Sequence, residues 1–390
     1  MTALLWMLWL GCSPPETAQS CGDYANFPTD GTAEFVYSHE SIQNIQIVMS
    51  DANMSKLPTM PDQGVDDLPA DIYINGEIYS NVGLKLKGHG SFRDIDQKAS
   101  FKIDLHEFNR DQTLNGMERF NLNSMIQDQA KVSDNIGYHV FQDQGLISPR
   151  QGYTCVSVNG VDYGLYSIVE ALDEEFVEAQ FNDPTGVLYE GSGLDLNQRG
   201  VQNFELQEGD DPDRIYLSSL VDELEKTSTE SYWGFIEKNF YADELMMSFA
   251  LLTYLGNRDS YLTWHNNYFL YYEPSTAKWT FIPWGMDQLF DETLLLNDPL
   301  SERPDPGILF INCLDSDECH ESFLEKLAEV NSMVEDGSLP FYLQTELDRI
   351  YTLSHHDPRD ESTAWGVERD SQKAIDFLDN RLEEFRQLYK

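Results

Sequence analysis

The stretch from Gly256 to Phe290 reads GNRDSYLTWHNNYFLYYEPSTAKWTFIPWGMDQLF. A helical pattern precedes it from Asp243 to Tyr254, and its apolar runs predict one strand after the asparagine pair and a second from Lys278 to Trp284. Its polar residues therefore stand in loops at the ends of regular elements. Catalytic and binding residues concentrate in such loops, so we expect a functional site in this stretch.

Three polar residues in the stretch follow one another in an order that suits phosphoryl transfer. They are Asp259, Asn266 and Asp287. This reaction uses a carboxylate to orient the attacking hydroxyl and accept its proton, and it uses Asn and Asp oxygens to hold Mg²⁺. Protein kinases carry these residues in the same order. The spacing predicts Asp259 as the catalytic aspartate and Asn266 and Asp287 as metal ligands, with His265 as a residue that shapes the loop.

A positively charged segment lies upstream in an otherwise acidic chain. Its charged residues are Lys85, Lys87, Arg93, Asp94, Asp96, Lys98 and Lys102. Predicted strands from Val82 to Lys87 and from Ala99 to Leu105 flank a Gly-Xaa-Gly-Ser loop at Gly88 to Ser91. Backbone amides of such a loop, together with lysines on the strands, suit a phosphate group. An ordinary hairpin with solvated lysines is the alternative.

Asparagine-glycine pairs predict two hairpin turns, at Asn75-Gly76 and at Asn159-Gly160. A helix is predicted between them from Asp134 to Gln144, with Ser133 as its N-cap. The second hairpin is followed by another predicted helix, from Leu172 to Phe181.

Glu170 ends the apolar strand that follows the second turn. In a kinase-like arrangement, this strand end is where a hinge that holds the nucleotide is expected. A charged strand terminus explains the residue equally well.

The N-terminus predicts export. The apolar run from Ala3 to Leu10 is too short to span a bilayer and has the character of a signal peptide. Leu10-Gly11-Cys12 and the polar tract after it are similar to a bacterial lipoprotein signal. We therefore predict a signal peptide over residues 1–12, lipid attachment at Cys12 and a tether over residues 13–34. An ordinary export signal is the alternative.

The net charge of −43 argues against nucleic acid or an anionic membrane surface as a partner. The only membrane association expected is therefore through a lipid at Cys12. With 41% apolar residues, and neither an internal repeat nor a linker in mid-chain, residues 35–390 are predicted to form one folded domain. The acidic clusters at Asp210 to Asp213 and at Asp315 to Glu318 lack the spacing of an EF-hand and are expected to be solvated loops.

Five cysteines in an exported chain favour disulfides. Cys313 and Cys319 enclose a short loop, and we predict that they form a bridge. Whether Cys21 and Cys155 form another is left open by the sequence.

These segments resemble the spore-coat protein H (CotH) kinase family of secreted atypical kinases. Four ordered signatures carry the resemblance, namely the segments Ile74 to Ser91, Lys98 to Lys102, Val158 to Glu170, and Gly256 to Trp284. The resemblance implies an α+β, protein-kinase-like fold with an N-terminal part rich in antiparallel strands and a mainly helical C-terminal part. It also implies ATP with Mg²⁺ or Mn²⁺ as cofactors and a protein substrate outside the cytoplasm.

The resemblance also implies roles for single residues. Lys98 matches the lysine that pairs with phosphate, Lys87 lies in the approach to the glycine loop, and Glu170 falls near the adenine-binding hinge. Asp259 would be the catalytic aspartate and Asn266 a metal ligand.

One position departs from the family pattern. The family has Pro-Trp-Asp-Xaa-Asp where this chain has Pro283-Trp284-Gly285-Met286-Asp287. This departure favours the alternative of an impaired kinase that acts as a surface binding module.

The expected function is an exported kinase for Ser and Thr hydroxyls, anchored at the bacterial cell envelope. A hydrolase that uses Asp259 and Asp287 as paired carboxylates is a third class, supported only by the abundance of acids.

Overall fold

The computed structural model describes residues 21, 33–38, 41–61 and 63–388. The predicted signal peptide, Cys12 and most of the predicted tether over residues 13–34 lie outside the described residues.

Seven strands close a barrel in the N-terminal half, in the order β1-β2-β3-β4-β5-β7-β6. They are β1 (Gln43–Val48), β2 (Leu68–Ile74), β3 (Glu77–Lys87), β4 (Ser100–Asp104), β5 (Arg119–Asn123), β6 (Gln151–Val158) and β7 (Val161–Glu170). Neighbouring strands pair antiparallel, except that β1 and β6 pair parallel. Every second residue of β1 and β2 is buried, which is the alternation that lets one face of a sheet fill the barrel interior.

Both predicted hairpin turns are confirmed. Asn75 and Gly76 have φ of 49° and 89°, and Asn159 and Gly160 have φ of 49° and 76°. A type I′ turn needs positive φ at both central residues, which asparagine and glycine tolerate best. The segment after the first turn forms the single strand β3 up to Lys87, which delivers that lysine to the end of the barrel.

A second, four-stranded antiparallel sheet has the order β11-β10-β8-β9. Its strands are β8 (Val187–Gly191), β9 (Glu205–Glu208), β10 (Tyr268–Glu273) and β11 (Lys278–Pro283). The two strands predicted after Asp259 are therefore β10 and β11, which pair from Tyr268 opposite Pro283 to Glu273 opposite Lys278. This hairpin places the residues before β10 and those after β11 at the same edge of the sheet.

Helices make up most of the C-terminal half. The helices are α1 (Asp51–Met54), α2 (Ser133–Asp143), α3 (Glu174–Gln180), α4 (Ile215–Leu224), α5 (Tyr232–Asn239), α6 (Ala242–Tyr254), α7 (Tyr261–Trp264), α8 (Ile308–Asp315), α9 (Asp317–Glu335), α10 (Ser338–His355) and α11 (Ala364–Leu388). The α+β class, with a strand-rich N-terminal half and a helical C-terminal half, is confirmed. None of the helices in the described part of the chain has the length and apolar character needed to cross a membrane.

The start of α2 differs from its prediction. The helix begins at Ser133, and the N-cap position belongs to Val132, whose side chain makes no capping hydrogen bond. Instead, the Ser133 amide donates to Asp128 Oδ2 at 2.7 Å. The prediction of Ser133 as N-cap was wrong because a carboxylate five residues upstream takes over the capping, which the local pattern does not show.

The part of the chain that the structure describes contains two disulfides. Cys313 and Cys319 are bridged, as predicted, and join the end of α8 to the start of α9. Cys21 and Cys155 are also bridged, which attaches the N-terminal segment to β6. A long-range bridge of this kind restricts the unfolded chain most strongly.

Two buried ion pairs fasten the loop between α10 and α11 to the barrel half. Lys98 Nζ lies 2.6 Å from Asp357 Oδ2, with the two side chains 0% and 1% exposed. Lys131 Nζ lies 2.9 Å from Asp360 Oδ2, also in the interior. Between these pairs, the Arg359 guanidinium lies 3.7 Å from the centre of the Tyr163 ring. We call residues 357–360 the clamp loop.

Removal of Asp357 should destabilise the fold strongly. Asp357→Ala leaves the buried Lys98 ammonium without its partner and the Leu165 amide without its acceptor, which lies at 2.9 Å. Breaking one side of a buried pair typically costs about 3 to 5 kcal/mol. We expect a loss of this size in the free energy of unfolding, measured by urea denaturation.

The exposed Asp348, which accepts a hydrogen bond from Gln344, supplies the control. Asp348→Ala should change the free energy of unfolding by less than about 0.5 kcal/mol. Equal effects of the two variants would show that the clamp loop does not hold the halves together.

Candidate active site

Two loops lie side by side at the edge of the second sheet. One joins α6 to α7 and carries Asp259, and the other follows β11 and carries Asp287. The Arg258 amide donates to the Gln288 carbonyl at 3.0 Å, and the Phe290 amide donates to the Leu255 carbonyl at 2.8 Å. These backbone hydrogen bonds bring together the two acids that the sequence predicted.

The Asp259 carboxylate is held by three side-chain amides. Asn266 Nδ2 donates to Oδ1 at 3.0 Å, Asn267 Nδ2 donates to Oδ2 at 3.0 Å, and Gln288 Nε2 donates to Oδ2 at 3.3 Å. Asn267 also donates to the Asp259 carbonyl at 2.6 Å. The carboxylate is half-buried, so it has one fixed orientation and remains accessible from the cleft.

The backbone of Asp259 is positioned by the fully buried Asn257. Its Oδ1 accepts a hydrogen bond from the Asp259 amide at 3.1 Å, and its Nδ2 donates to Met286 Sδ at 3.2 Å. Asn257 therefore links the first loop to the second.

Asn266 directs its amide oxygen away from Asp259. Its Nδ2 donates to Asp259, while from the residues that the structure describes its Oδ1 accepts one long hydrogen bond, of 3.4 Å, from Ser192 Oγ. The amide oxygen is the atom that binds hard cations. The Oδ1 atom of Asn266, which is the predicted metal ligand, is therefore weakly hydrogen-bonded and belongs to a side chain that contacts the predicted catalytic acid.

Asp287 lies in a strongly acidic environment. Burial, followed by the carboxylates of Asp134, Asp128 and Asp259, raises its pKa to about 7, and Lys87 opposes the shift. The pKa of Asp134 is also raised, chiefly by burial. Carboxylates that crowd one another in this way favour either a shared proton or a bound cation.

Lys87 is the lysine that faces these acids. Burial and the neighbouring Lys102 lower the pKa of Lys87 to about 8, and Asp134 and Asp287 oppose the shift. Its Nζ donates to Asn123 Oδ1 at 2.7 Å and lies 5.5 Å from the centre of the Trp284 ring. The end of β3 therefore presents a cation across the cleft from Asp287.

The other two predicted nucleotide-binding residues have protein partners. The Lys98 ammonium is bonded to Asp357, on the clamp loop. Glu170, which is 5% exposed, accepts hydrogen bonds at 3.0 Å from both the backbone amide and Nε of Arg150. Each residue has a structural role in the described protein. Their roles toward a nucleotide remain predictions.

His265 ends α7 in the left-handed region, with φ of 52°. Its ring lies between two carboxylates, 3.6 Å from Asp195 Oδ2 and 3.5 Å from Asp305 Oδ2. The Leu194 amide donates to the His265 carbonyl at 3.1 Å. These contacts agree with the expectation that His265 shapes the loop.

Gly285 is fitted closely against Asn267. It has φ of 54°, and a Cβ added there would lie 2.6 Å from Asn267 Cγ. An acid at this position would therefore push on the side chain that holds Asp259. An acid at position 285, as the family pattern has, would overlap with the Asn267 side chain that bonds to Asp259.

Four residues near Asp259 and Asp287 were not predicted from the sequence as site residues, namely Asp134, Asn257, Asn267 and Gln288. Asn267 could have been identified from the sequence, because asparagine is the non-glycine residue that best tolerates the left-handed region, and Asn267 has φ of 54° there. Asp134 could not have been identified, because the helix dipole already explains an acid in the first turn of a helix.

The donor atoms suit a hard divalent cation. Within the described residues, no group of three or more His, Cys, Asp or Glu side chains is arranged to hold a metal by itself. Mg²⁺ is commonly bound by one or two carboxylates together with substrate phosphates rather than by a complete protein cage. The Asp287 carboxylate and the Asn266 amide oxygen fit that mode.

Comparisons with known proteins agree with the resemblance. Residues 84–378 match the family described as CotH kinase protein. Inner spore coat protein H of Bacillus subtilis (strain 168) is 22% identical over 234 residues, which cover 57% of this chain and 62% of that protein. The chain thus spans less than two thirds of that relative's length.

Among solved structures, the chain is similar to one described as "Shewanella oneidensis MR-1 Toxin Antitoxin System HipA, HipB and its operator DNA complex". The identity is 13%, the TM-score is 0.34, and the match covers 69% of this chain and 59% of that one.

Gly285→Asp should destabilise the protein. The new Cβ meets Asn267, and the positive φ adds strain for any residue with a side chain. We expect a loss of about 2 kcal/mol or more in the free energy of unfolding, measured by urea denaturation.

Gly193→Asp separates the two causes, because Gly193 has φ of 63° but no atom within 4 Å of its added Cβ. It carries the strain without the collision and should cost less. If the two variants were equally stable, Asn267 would be free to move aside, and the fit of Gly285 would not explain the missing acid.

Proposed function

Because this chain belongs to the CotH kinase protein family, we propose that it is an exported protein kinase. It transfers the γ-phosphoryl group of ATP to Ser or Thr hydroxyls of a protein outside the cytoplasm, with Mg²⁺ or Mn²⁺ as the metal. The observation that supports the proposal is that Asp259, Asn266 and Asp287 lie on adjoining segments, with Asn266 bonded to Asp259 and with Asp259 and Lys87 both close enough to act on the Asp287 carboxylate.

Asp259 orients the acceptor hydroxyl and takes its proton. Its carboxylate already accepts hydrogen bonds from Asn266, Asn267 and Gln288. An ionised carboxylate has about four lone-pair sites, so a further hydrogen bond from the substrate can be accepted. The three amides keep the carboxylate in place, so little reorganisation is needed when the hydroxyl arrives.

The phosphates would be held by Lys87 on one side and by a metal bound to Asp287 on the other. Lys87, with Lys102 behind it, supplies positive charge from the barrel side. Asn266 and Asp287 would hold the divalent metal, and the metal would supply positive charge to the phosphates. Glu170 at the end of β7 and Lys98 complete the proposed nucleotide site as the family resemblance implies.

Location outside the cytoplasm is supported by several features of the chain. Two disulfides are typical of an oxidising compartment. The predicted signal peptide and lipid attachment at Cys12 would anchor the protein at the cell envelope. The name of the relative in Bacillus subtilis places that protein in a spore coat.

The net charge of −43 disfavours nucleic acid as a partner.

A second candidate function is an impaired kinase that serves as a binding module. Gly285 favours it, because the family pattern has an acid there and this chain has no room for one beside Asn267. The two candidates predict different outcomes in a phosphotransfer assay.

Asp259→Asn should abolish phosphotransfer and leave the fold intact. Loss of a positioned general base typically lowers a rate about 10²-fold to 10⁴-fold. We expect a fall in this range in the transfer of labelled phosphate from ATP to a basic test protein or to the enzyme itself. Asp222→Asn, an exposed variant on α4, is the control and should keep wild-type activity.

Inactive wild-type protein that still gains thermal stability from ATP and Mn²⁺ together would favour the binding module. No stabilisation by any nucleotide or metal would argue against the kinase and favour a binding module that uses no nucleotide.

Binding of the metal and nucleotide together should be strongest between about pH 7 and pH 8. Asp287 has a pKa of about 7 and must be ionised to bind a metal, so affinity should rise as the pH rises to 7. Lys87 has a pKa of about 8 and loses its charge above it, so affinity should then fall. Calorimetric titration of a non-hydrolysable ATP analogue with Mn²⁺ from pH 6 to pH 9 measures this profile.

Two variants test which residue causes the rise in affinity below pH 7 and which causes the fall above pH 8. Lys87→Arg should remove the fall above pH 8, because arginine stays protonated. Asp287→Asn should abolish the rise below pH 7 and weaken binding throughout. A wild-type profile that is flat from pH 6 to pH 9 would contradict both assignments.

A further inference from the structure

Asp134 is a buried carboxylate that the proposed mechanism has not yet used. It lies in the first turn of α2 and is 2% exposed. Helix α2 packs directly on the loop after β11, since a Cβ added at Gly137 would lie 2.7 Å from Met286 Cβ. The helix therefore brings Asp134 to the loop that carries Gly285 and Asp287.

The two carboxylate oxygens of Asp134 differ in their hydrogen bonding. Oδ2 accepts a hydrogen bond from Asn123 Nδ2 at 3.2 Å. Oδ1 is buried and has no hydrogen-bond partner of acceptable geometry in the described part of the chain. The Ser167 hydroxyl and the Met286 amide approach the carboxylate closely enough to oppose the rise in its pKa. A buried acceptor without a partner is costly, so Oδ1 requires an explanation.

The surroundings of Oδ1 favour a cation. Of the carboxylates near Asp287, Asp134 interacts with it most strongly. Lys87 is the cation common to both acids, and its ammonium donates to Asn123 rather than to either of them. Asp134 is buried and Asp287 is partly buried. With one lysine near both acids, they leave a negative charge that a divalent ion would neutralise.

We infer that Asp134 is a ligand of the divalent metal through Oδ1, together with Asp287 and Asn266, and that it supplies the carboxylate that Gly285 lacks. The inference rests on the proposed function, because it concerns the metal of the same site. The resulting set of two carboxylates and one amide oxygen leaves positions for phosphate and water, as is usual for Mg²⁺ and Mn²⁺.

A purely structural role for Asp134 would be to position Lys87 through Asn123. In that case, loss of the carboxylate would weaken the binding of nucleotide even without metal. A ligand role predicts the opposite pattern, in which metal binding is lost and metal-free nucleotide binding is kept. The affinities of the site for Mn²⁺ and for nucleotide alone therefore separate the two roles.

The experiment compares wild type, Asp134→Asn and Glu190→Gln. Glu190 is the matched control, because it is another mostly buried acid near Lys87 but its Oε2 already accepts from Gln207 at 2.9 Å. Mn²⁺ affinity is measured in the presence of a non-hydrolysable ATP analogue from the electron paramagnetic resonance signal of free Mn²⁺, after subtraction of the Mn²⁺ that the analogue binds without protein. We expect at least a tenfold loss of Mn²⁺ affinity for Asp134→Asn and less than a threefold loss for Glu190→Gln. The affinity for the analogue alone is measured by calorimetry without metal, and we expect it to be unchanged in Asp134→Asn.

Several outcomes would overturn the inference. Wild-type Mn²⁺ affinity in folded Asp134→Asn would exclude Asp134 as a ligand while leaving the proposed function intact. Equal losses in both variants would show only a general effect of negative charge. A wild type that binds no Mn²⁺ with the analogue would overturn the proposed function as well.

Circular dichroism checks that each variant is folded. If Asp134→Asn does not fold, Asp134→Ser is used, because serine is small and is accepted in the first turn of a helix. The same tenfold loss is expected for it, and wild-type affinity in that variant would equally overturn the inference.

Discussion

The buried ion pair between Lys98 and Asp357 is the interaction on which the rest of the structure depends. It joins the barrel to a loop between the last two long helices, and the neighbouring pair of Lys131 and Asp360 reinforces it. Lys87, at the end of β3, can face Asp287 only if the barrel half and the helical half keep a fixed relative position. The clamp loop fixes this position through buried charges that water cannot screen.

Within the cleft, asparagine amides do the positioning. Asn266 and Asn267 donate to the Asp259 carboxylate, and Asn257 accepts a hydrogen bond from the Asp259 backbone amide. The orientation of Asp259 is therefore set by neutral amides that leave its charge available. This arrangement needs Gly285, because a side chain there would displace Asn267. The departure from the family pattern is thus built into the packing of the site, and Asp134 stands on the helix that packs against it.

Much of the fold was predictable because its signals are local. The Asn-Gly turns, the apolar runs that form β10 and β11, and the short bridge from Cys313 to Cys319 each depend on residues close together in the chain. The same holds for the neighbours Asp259 and Asn266. The N-cap of α2 was mispredicted for the opposite reason, since Asp128 reaches it from outside the helix.

The sequence by itself determined the two hairpins and the order of the acidic and amide residues, because turn and strand preferences act over a few residues. The α+β class was implied by the resemblance of its ordered motifs to the CotH kinase family. Only the tertiary structure decided which charges meet. Lys98 finds Asp357 and Lys87 faces Asp134 and Asp287 across elements far apart in the chain. Burial then sets their energetics, since the pKa of Asp287 depends on carboxylates that no local pattern connects to it.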